Sequence, residues 1–166
     1  MMINMKVLYA HAKNLKIEAG IPGRNARNRK RNERKIRERL GAVLPEFDKI
    51  ENPIHSDNAL LAFVCVEKGD EKVDLVEIMN DVVRARTLVG ASDIVIGAFA
   101  HLSNNVAEPV IAKQIIDILV ESIKITHKRT RQYPFGWDKS LEFCVPLHHY
   151  NIAFRSFEPK MEDDHK

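Results

Sequence analysis

The apolar positions of this chain fall into two kinds of run. Ala59-Leu-Leu-Ala-Phe-Val-Cys-Val66 and Asp93-Ile-Val-Ile-Gly-Ala-Phe-Ala100 are short, rich in β-branched residues and almost unbroken, which predicts strands buried on both faces. In the other kind, apolar residues return every three or four positions. Val73, Val76, Ile78, Met79, Val82, Val83 and Leu88 do so before Gly90, and Val110, Ile111, Ile115, Ile118, Leu119 and Ile123 do so after Pro109, with the small Ser122 in the same stripe. These predict two long helices, one stopped by glycine and one, Pro109 to Ile125, opened by proline.

The ends of the chain carry shorter signals. Met5 to Ala10 predicts a first strand, and the alternation in Leu15 to Ala19 predicts a second, half-exposed one, closed as a hairpin by Gly20-Ile-Pro-Gly23. Arg34 to Leu44 has a thin apolar face and could form one helix. Thr130 to Phe135, Leu141 to Val145 and Asn151 to Phe157 predict three short strands, separated by Gly136 and Pro146. The expected fold class is therefore α/β: a single layered domain over residues 1–160, with a mixed β-sheet packed by two long helices. A basic insert spans about 24–58, and a polar tail, 161–166, is expected to fray.

Length and composition narrow the class. A chain of 166 residues suits one domain. It holds no apolar run near the ~20 residues of a bilayer span, and MMINMKVLYA lacks the order of a signal peptide, so a cytoplasmic protein without membrane contact is expected. Cys65 and Cys144 show no CxxC spacing, and the seven histidines show no ligand spacing, so neither a metal nor another cofactor is expected.

Charge changes the picture more. Arg24 to Arg39 carries Arg24, Arg27, Arg29, Lys30, Arg31, Arg34, Lys35, Arg37 and Arg39 against Glu33 and Glu38. That is a local +7 in a chain of net +3, which leaves about −4 for the rest. A patch this dense suits a polyanion, with counterion release as the driving force; like-charge repulsion would equally suit a solvated, disordered loop.

Two stretches carry candidate chemistry. In Ala98-Phe-Ala-His-Leu-Ser-Asn-Asn-Val-Ala-Glu-Pro109, His101 stands where a buried strand hands over to a helix, a frequent binding place in α/β folds. It either faces a site or is a core-edge histidine bonded to a carbonyl. In Tyr133-Pro-Phe-Gly-Trp-Asp-Lys139, a lysine follows a Phe-Gly-Trp turn; alone, it reads as a solvated charge.

Taken with Met5-Lys-Val-Leu and His11, Ala62-Phe-Val-Cys-Val-Glu-Lys68, and Phe99-Ala-His-Leu-Ser103 with Glu108-Pro109, the Pro134 to Lys139 block completes a set in a familiar order. The chain resembles the archaeal-type editing domain of threonyl-tRNA synthetases, itself similar in fold to D-aminoacyl-tRNA deacylases. The resemblance covers about Met5 to Gly20 and Ala59 to Phe157.

It implies an aminoacyl-tRNA hydrolase that cleaves the ester of serine misattached to threonine tRNA. Serine lacks only one methyl group of threonine, a difference of about 1–3 kcal/mol in binding that a synthetic pocket cannot exploit far enough. By this resemblance His101 and Lys139 are the catalytic pair, positioning water and the ribose hydroxyl. Val66 and Ala100 hold the amino acid through main chain, and His11, Phe135, Gly136, Trp137 and Asp138 complete the substrate site. Phe135 and Trp137 could stack the terminal adenine or simply pack in the core. The expected partners are the acceptor end of threonine tRNA, held by the basic segment, a second copy in a homodimer, and a synthetase catalytic subunit.

The chain departs from the family pattern in four places. His11-Ala12-Lys13 stands where the family has His-Ser-Asp, and Asp138 where it has an aromatic residue before the lysine. A downstream glutamate has no clear counterpart near Asn151 or Ile152, and the basic insert is longer than expected. An RNA-binding module with little turnover and a D-aminoacyl-tRNA deacylase are thus the alternative readings.

Overall fold

The computed structural model describes residues 4–159; the polar tail expected at 161–166 lies outside them. Six strands, β1 (Met5–Gly20), β2 (Ile54–Cys65), β3 (Asp93–Ala98), β4 (Thr130–Gln132), β5 (Asp138–Cys144) and β6 (Ile152–Phe157), form one sheet. Three helices, α1 (Ala26–Leu40), α2 (Leu75–Val89) and α3 (Pro109–Thr126), connect them. The strand order is β4-β3-β2-β1-β5, with β6 beside the first half of β1. Pairs β2–β3 and β3–β4 are parallel and the three pairs of β1 are antiparallel, so the sheet is mixed.

The expected N-terminal hairpin is instead one sixteen-residue strand. Asn14, at φ 51°, adopts the left-handed conformation that asparagine tolerates better than most residues. The pleat changes sides there. Before Asn14, Met5, Val7 and Tyr9 face the core under α2 and α3 while Ala10 and Ala12 alternate onto the other face; after it, the odd positions Leu15 and Ile17 join Ala10 and Ala12 on that other face. The Gly20 to Gly23 turn then leads into α1 rather than into a returning strand.

Helix α2 ends at Gly90, in the left-handed conformation (φ 68°) expected of a glycine cap, and α3 begins on Pro109. The buried positions are Ile78 and Val82 in α2, and Ile115, Ile116, Leu119, Val120 and Ile123 in α3. Val76, Leu88, Val110 and Ile118, expected in the stripes, are exposed, because each helix covers the sheet with a narrower face than the spacing alone suggests.

The basic segment is a helix, and it begins eight residues before the Arg34 to Leu44 expectation. Asn25 caps it by accepting from the Asn28 N–H, and Glu33–Arg37 and Arg34–Glu38 pair one turn apart. Its docking stripe steps by four: Asn28, Asn32, Ile36 and Leu40 are half-buried or buried. Asn32 Nδ2 donates to the Pro22 carbonyl at 2.6 Å, and Ile36 packs with Ala19 and Trp137. One apolar contact per two turns leaves the arginine-rich flanks in solvent.

Candidate functional site

The C-terminal ends of parallel β2 and β3 open onto a cavity of about 710 Å³, within the range of roughly 300–1,000 Å³ usual for small-ligand sites. Chain beyond both strands forms its floor, the first turns of α3 form one wall, and the Phe135–Lys139 turn with the end of α1 forms the other. The floor is fixed through its backbone: Phe99 N–H donates to the Val64 carbonyl at 2.8 Å and Ala107 N–H to the Val66 carbonyl at 2.9 Å. Buried Glu67 anchors the same segment. Burial opposes its ionisation, but its ion pair with Lys6 and its bonds with Ser103 and the Asn4 N–H outweigh this and hold the carboxyl below the usual range.

His101 lies in a short 3-10 turn directly after β3, exposed and lining the cavity. Its ring meets that of Phe99 edge-on at 5.1 Å. It is therefore no core-edge histidine bonded to a carbonyl. Lys139, at the start of β5, lines the same cavity. Its Nζ donates to the Trp137 carbonyl at 2.6 Å and sits 5.3 Å from the centroid of the Tyr133 ring. Burial lowers its pKa, with the Asp138 carboxylate opposing, so this cation is partly stripped of water and held by a carbonyl and an aromatic face.

Val66, Ala100, Phe135, Gly136, Trp137 and Asp138 line the same cavity. Phe135 and Trp137 are buried. The Trp137 Nε1–H donates to the Pro45 carbonyl at 2.9 Å, Phe47 packs edge-on against the indole at 5.2 Å, and Arg37 covers it at 5.4 Å. Its ring is a structural anchor, not a free stacking surface. A Cβ at Gly136 (φ 78°) would press on the Leu40 and Leu44 methyls, so the turn and the end of α1 close on each other.

His11 does not line the cavity. It is buried on β1, with Nδ1 2.7 Å from His148 Nε2 and Nε2 2.7 Å from Asn58 Oδ1. Asn58 Nδ2 donates to the Gly90 carbonyl, and the Tyr150 N–H donates to His148 Nδ1. These bonds set the proton positions: His148 Nε2–H donates to His11, and His11 Nε2–H to Asn58. The histidine ties β1 to the β5–β6 connection. Ala12 and Lys13 are also absent from the lining, so of the departures in the sequence it is Asp138 and the basic insert, through Arg39 and Leu40, that fall at the cavity.

Arg39, named in the sequence among the residues suited to a polyanion, also reaches the cavity, as do Leu40, Lys68 and Glu108, which sequence reasoning did not place at the site. Tyr133 supports it from beneath: its ring packs against Gly97, where a Cβ would overlap it, and its hydroxyl donates to the Ala98 carbonyl at 2.6 Å. Among the described residues, no three His, Cys, Asp or Glu side chains converge as a metal site, and no helix is long and apolar enough to cross a membrane.

Residues 42–156 match the model of the archaea-specific editing domain of threonyl-tRNA synthetase. Among curated proteins the chain is similar to threonine–tRNA ligases. It is 37% identical over 120 residues to that of Pyrobaculum neutrophilum, covering 69% of this chain and 20% of the relative. The ligase of Pyrobaculum calidifontis is 32% identical over 159 residues, covering 94% and 23%, and that of Thermofilum pendens 42% over 105 residues, covering 62% and 17%. The chain thus spans about a fifth of the length of these relatives.

Proposed function

This chain belongs to the family of archaea-specific editing domains of threonyl-tRNA synthetase, and from that premise we propose that it hydrolyses the ester of serine mischarged onto threonine tRNA. The observation that carries the reading is the convergence of His101 and Lys139 on one cavity at the C-terminal ends of β2 and β3.

The ester is already activated, so hydrolysis needs an oriented water and stabilisation of the charge that develops on the carbonyl oxygen. Water adds to the ester carbon, the ribose oxygen leaves, and the proton lost by the water ends on that oxygen. Lys139, partly desolvated and held by the Trp137 carbonyl and Tyr133, supplies a cation with little reorganisation. His101 is free to hold the water, and the neighbouring 2′-hydroxyl of the substrate serves the leaving oxygen. Val66, Ala98, Ala100, Ala107 and Ala112 give the cavity small walls, suited to admitting serine and crowding the extra methyl of threonine.

The exposed arginines and lysines of α1 supply affinity for the tRNA backbone without reading its sequence. The exposed Leu141, Ile152 and Phe154 on β5 and β6 are suited to a second copy in a homodimer or to a synthetase catalytic subunit. Release of serine from seryl-tRNA(Thr) faster than its spontaneous hydrolysis is the result expected; time courses that coincide with the spontaneous one would overturn the proposal.

A further inference from the structure

Helix α1 stops at the cavity. Its last two residues, Arg39 and Leu40, line the wall, and Lys68 lines the floor. The cavity's cationic side chains differ in what already holds them. Lys139 is committed to the Trp137 carbonyl and the Tyr133 ring. Within α1, Arg34 faces Glu38 and Arg37 pairs with Glu33. Arg39 and Lys68 are exposed, and among the described residues neither makes an ion pair or a side-chain hydrogen bond. The lining therefore holds two uncommitted cations beside the residues placed at the ester.

An aminoacyl ester has no free carboxylate, and its α-amino group is itself cationic, so neither suits an arginine or a lysine. The group on the same nucleoside that does suit them is the phosphodiester on its 5′-oxygen. Arginine matches phosphate through a planar fork of N–H donors, and lysine does so as a mobile point charge. Resting on the editing reading above, we infer that Arg39 and Lys68 grip the phosphate on the 5′ side of the terminal adenosine, so that they fix how deeply the esterified nucleoside enters the cavity. Leu40 and Leu44 press on Gly136, so the same helix end that carries Arg39 also braces the turn that carries Lys139. Arg39 lies just before the segment, residues 42–156, that matches the family model.

The probes are two non-hydrolysable seryl-adenosine 3′-amides, one with a free 5′-hydroxyl and one with a 5′-methylphosphate, titrated into the full chain by calorimetry at fixed ionic strength. The parent is expected to bind the phosphorylated compound about 10- to 100-fold more tightly, the scale of one or two charge-assisted hydrogen bonds. In Arg39→Gln/Lys68→Gln that ratio should fall to within about threefold of unity. A parent without phosphate preference, or a double variant that keeps the parent's ratio, would overturn the inference. Serine release from seryl-tRNA is read separately. A chain that shows the phosphate preference but no release would sink the hydrolytic reading and leave the phosphate grip standing.

Discussion

Lys139 Nζ rests 5.3 Å from the centroid of the Tyr133 ring while donating to the Trp137 carbonyl. One contact is made by a residue of the β4–β5 connection and the other by the turn immediately before the lysine, so its position is built into the local chain. Lys139→Met keeps most of the volume on Tyr133 and removes the charge. Seryl-tRNA hydrolysis is expected to fall by roughly 10- to 1,000-fold, measured as single-turnover serine release. Unchanged turnover would remove Lys139 from the mechanism.

His101 offers the complementary case, because it is exposed, its ring meets that of Phe99, and among the described residues it makes no side-chain hydrogen bond or ion pair. His101→Ala should cut deacylation while stability stays within about 0.5 kcal/mol of the parent, as for ordinary surface substitutions. A chemical denaturation curve alongside the rate separates the two effects. Marked destabilisation with full specific activity would make the histidine a structural residue.

Gly97 and Tyr133 test the support beneath the cavity. A methyl at Gly97 would overlap the Tyr133 ring, so Gly97→Ala should destabilise by about 1–3 kcal/mol through overpacking. It should also slow hydrolysis by shifting the ring under Lys139. If the thermal midpoint does not move, the contact is not close-packed in solution.

Burial pushes Asp70 up to about 6, and the nearby Glu67 carboxylate adds to the rise against the Glu67 N–H that donates to Asp70. Its pKa is higher folded than unfolded. Between its ordinary 3.8 and about 6 the native state therefore binds the extra proton, and this residue's contribution to stability declines as pH rises through that window. Asp70→Asn keeps an acceptor for the Glu67 N–H and removes the buried charge. The variant should be more stable than the parent at pH 7.5, with the advantage shrinking toward pH 4; thermal melts across that range would show it. A difference independent of pH would mean that Asp70 carries no buried charge.

The basic helix calls for a salt titration. Arg27, Lys30 and Arg31 are exposed and make no ion pair among the described residues. Replacing all three by Ala should weaken tRNA binding and flatten the dependence of log K on log salt by about 2 to 3, at roughly 0.7–0.9 per phosphate contact. Equal slopes would leave α1 as a solvated helix with no role in binding.

Much of this was legible in the chain. The unbroken β-branched runs marked β2 and β3, the glycine and proline boundaries marked α2 and α3, and four short blocks in order pointed to the family. Other features were not. The switch of faces at Asn14 depends on one left-handed residue, which reads locally as a turn between two strands. The length of α1 was hidden because charged residues with good helix propensity leave almost no apolar period, and its docking rests on Ile36 and Leu40. His11 reads in sequence as a substrate-site histidine by resemblance, but its side chain points into a network with His148 and Asn58 that only the tertiary fold assembles. The place of Lys68 in the wall was equally hidden, since a lone surface cation announces no partner in sequence, whereas Arg39 was marked by its dense basic segment though not by its position at the cavity.

The activity proposed for the His101–Lys139 cavity is the selective removal of serine from threonine tRNA. Deacylation of seryl-, threonyl- and D-aminoacyl-tRNA, compared at equal enzyme and substrate concentrations, tests it most directly. Rapid release of serine, with threonyl- and D-aminoacyl-tRNA staying near their spontaneous rates, is the expected result. Spontaneous rates for all three, or a preference for the D-aminoacyl ester, would contradict it.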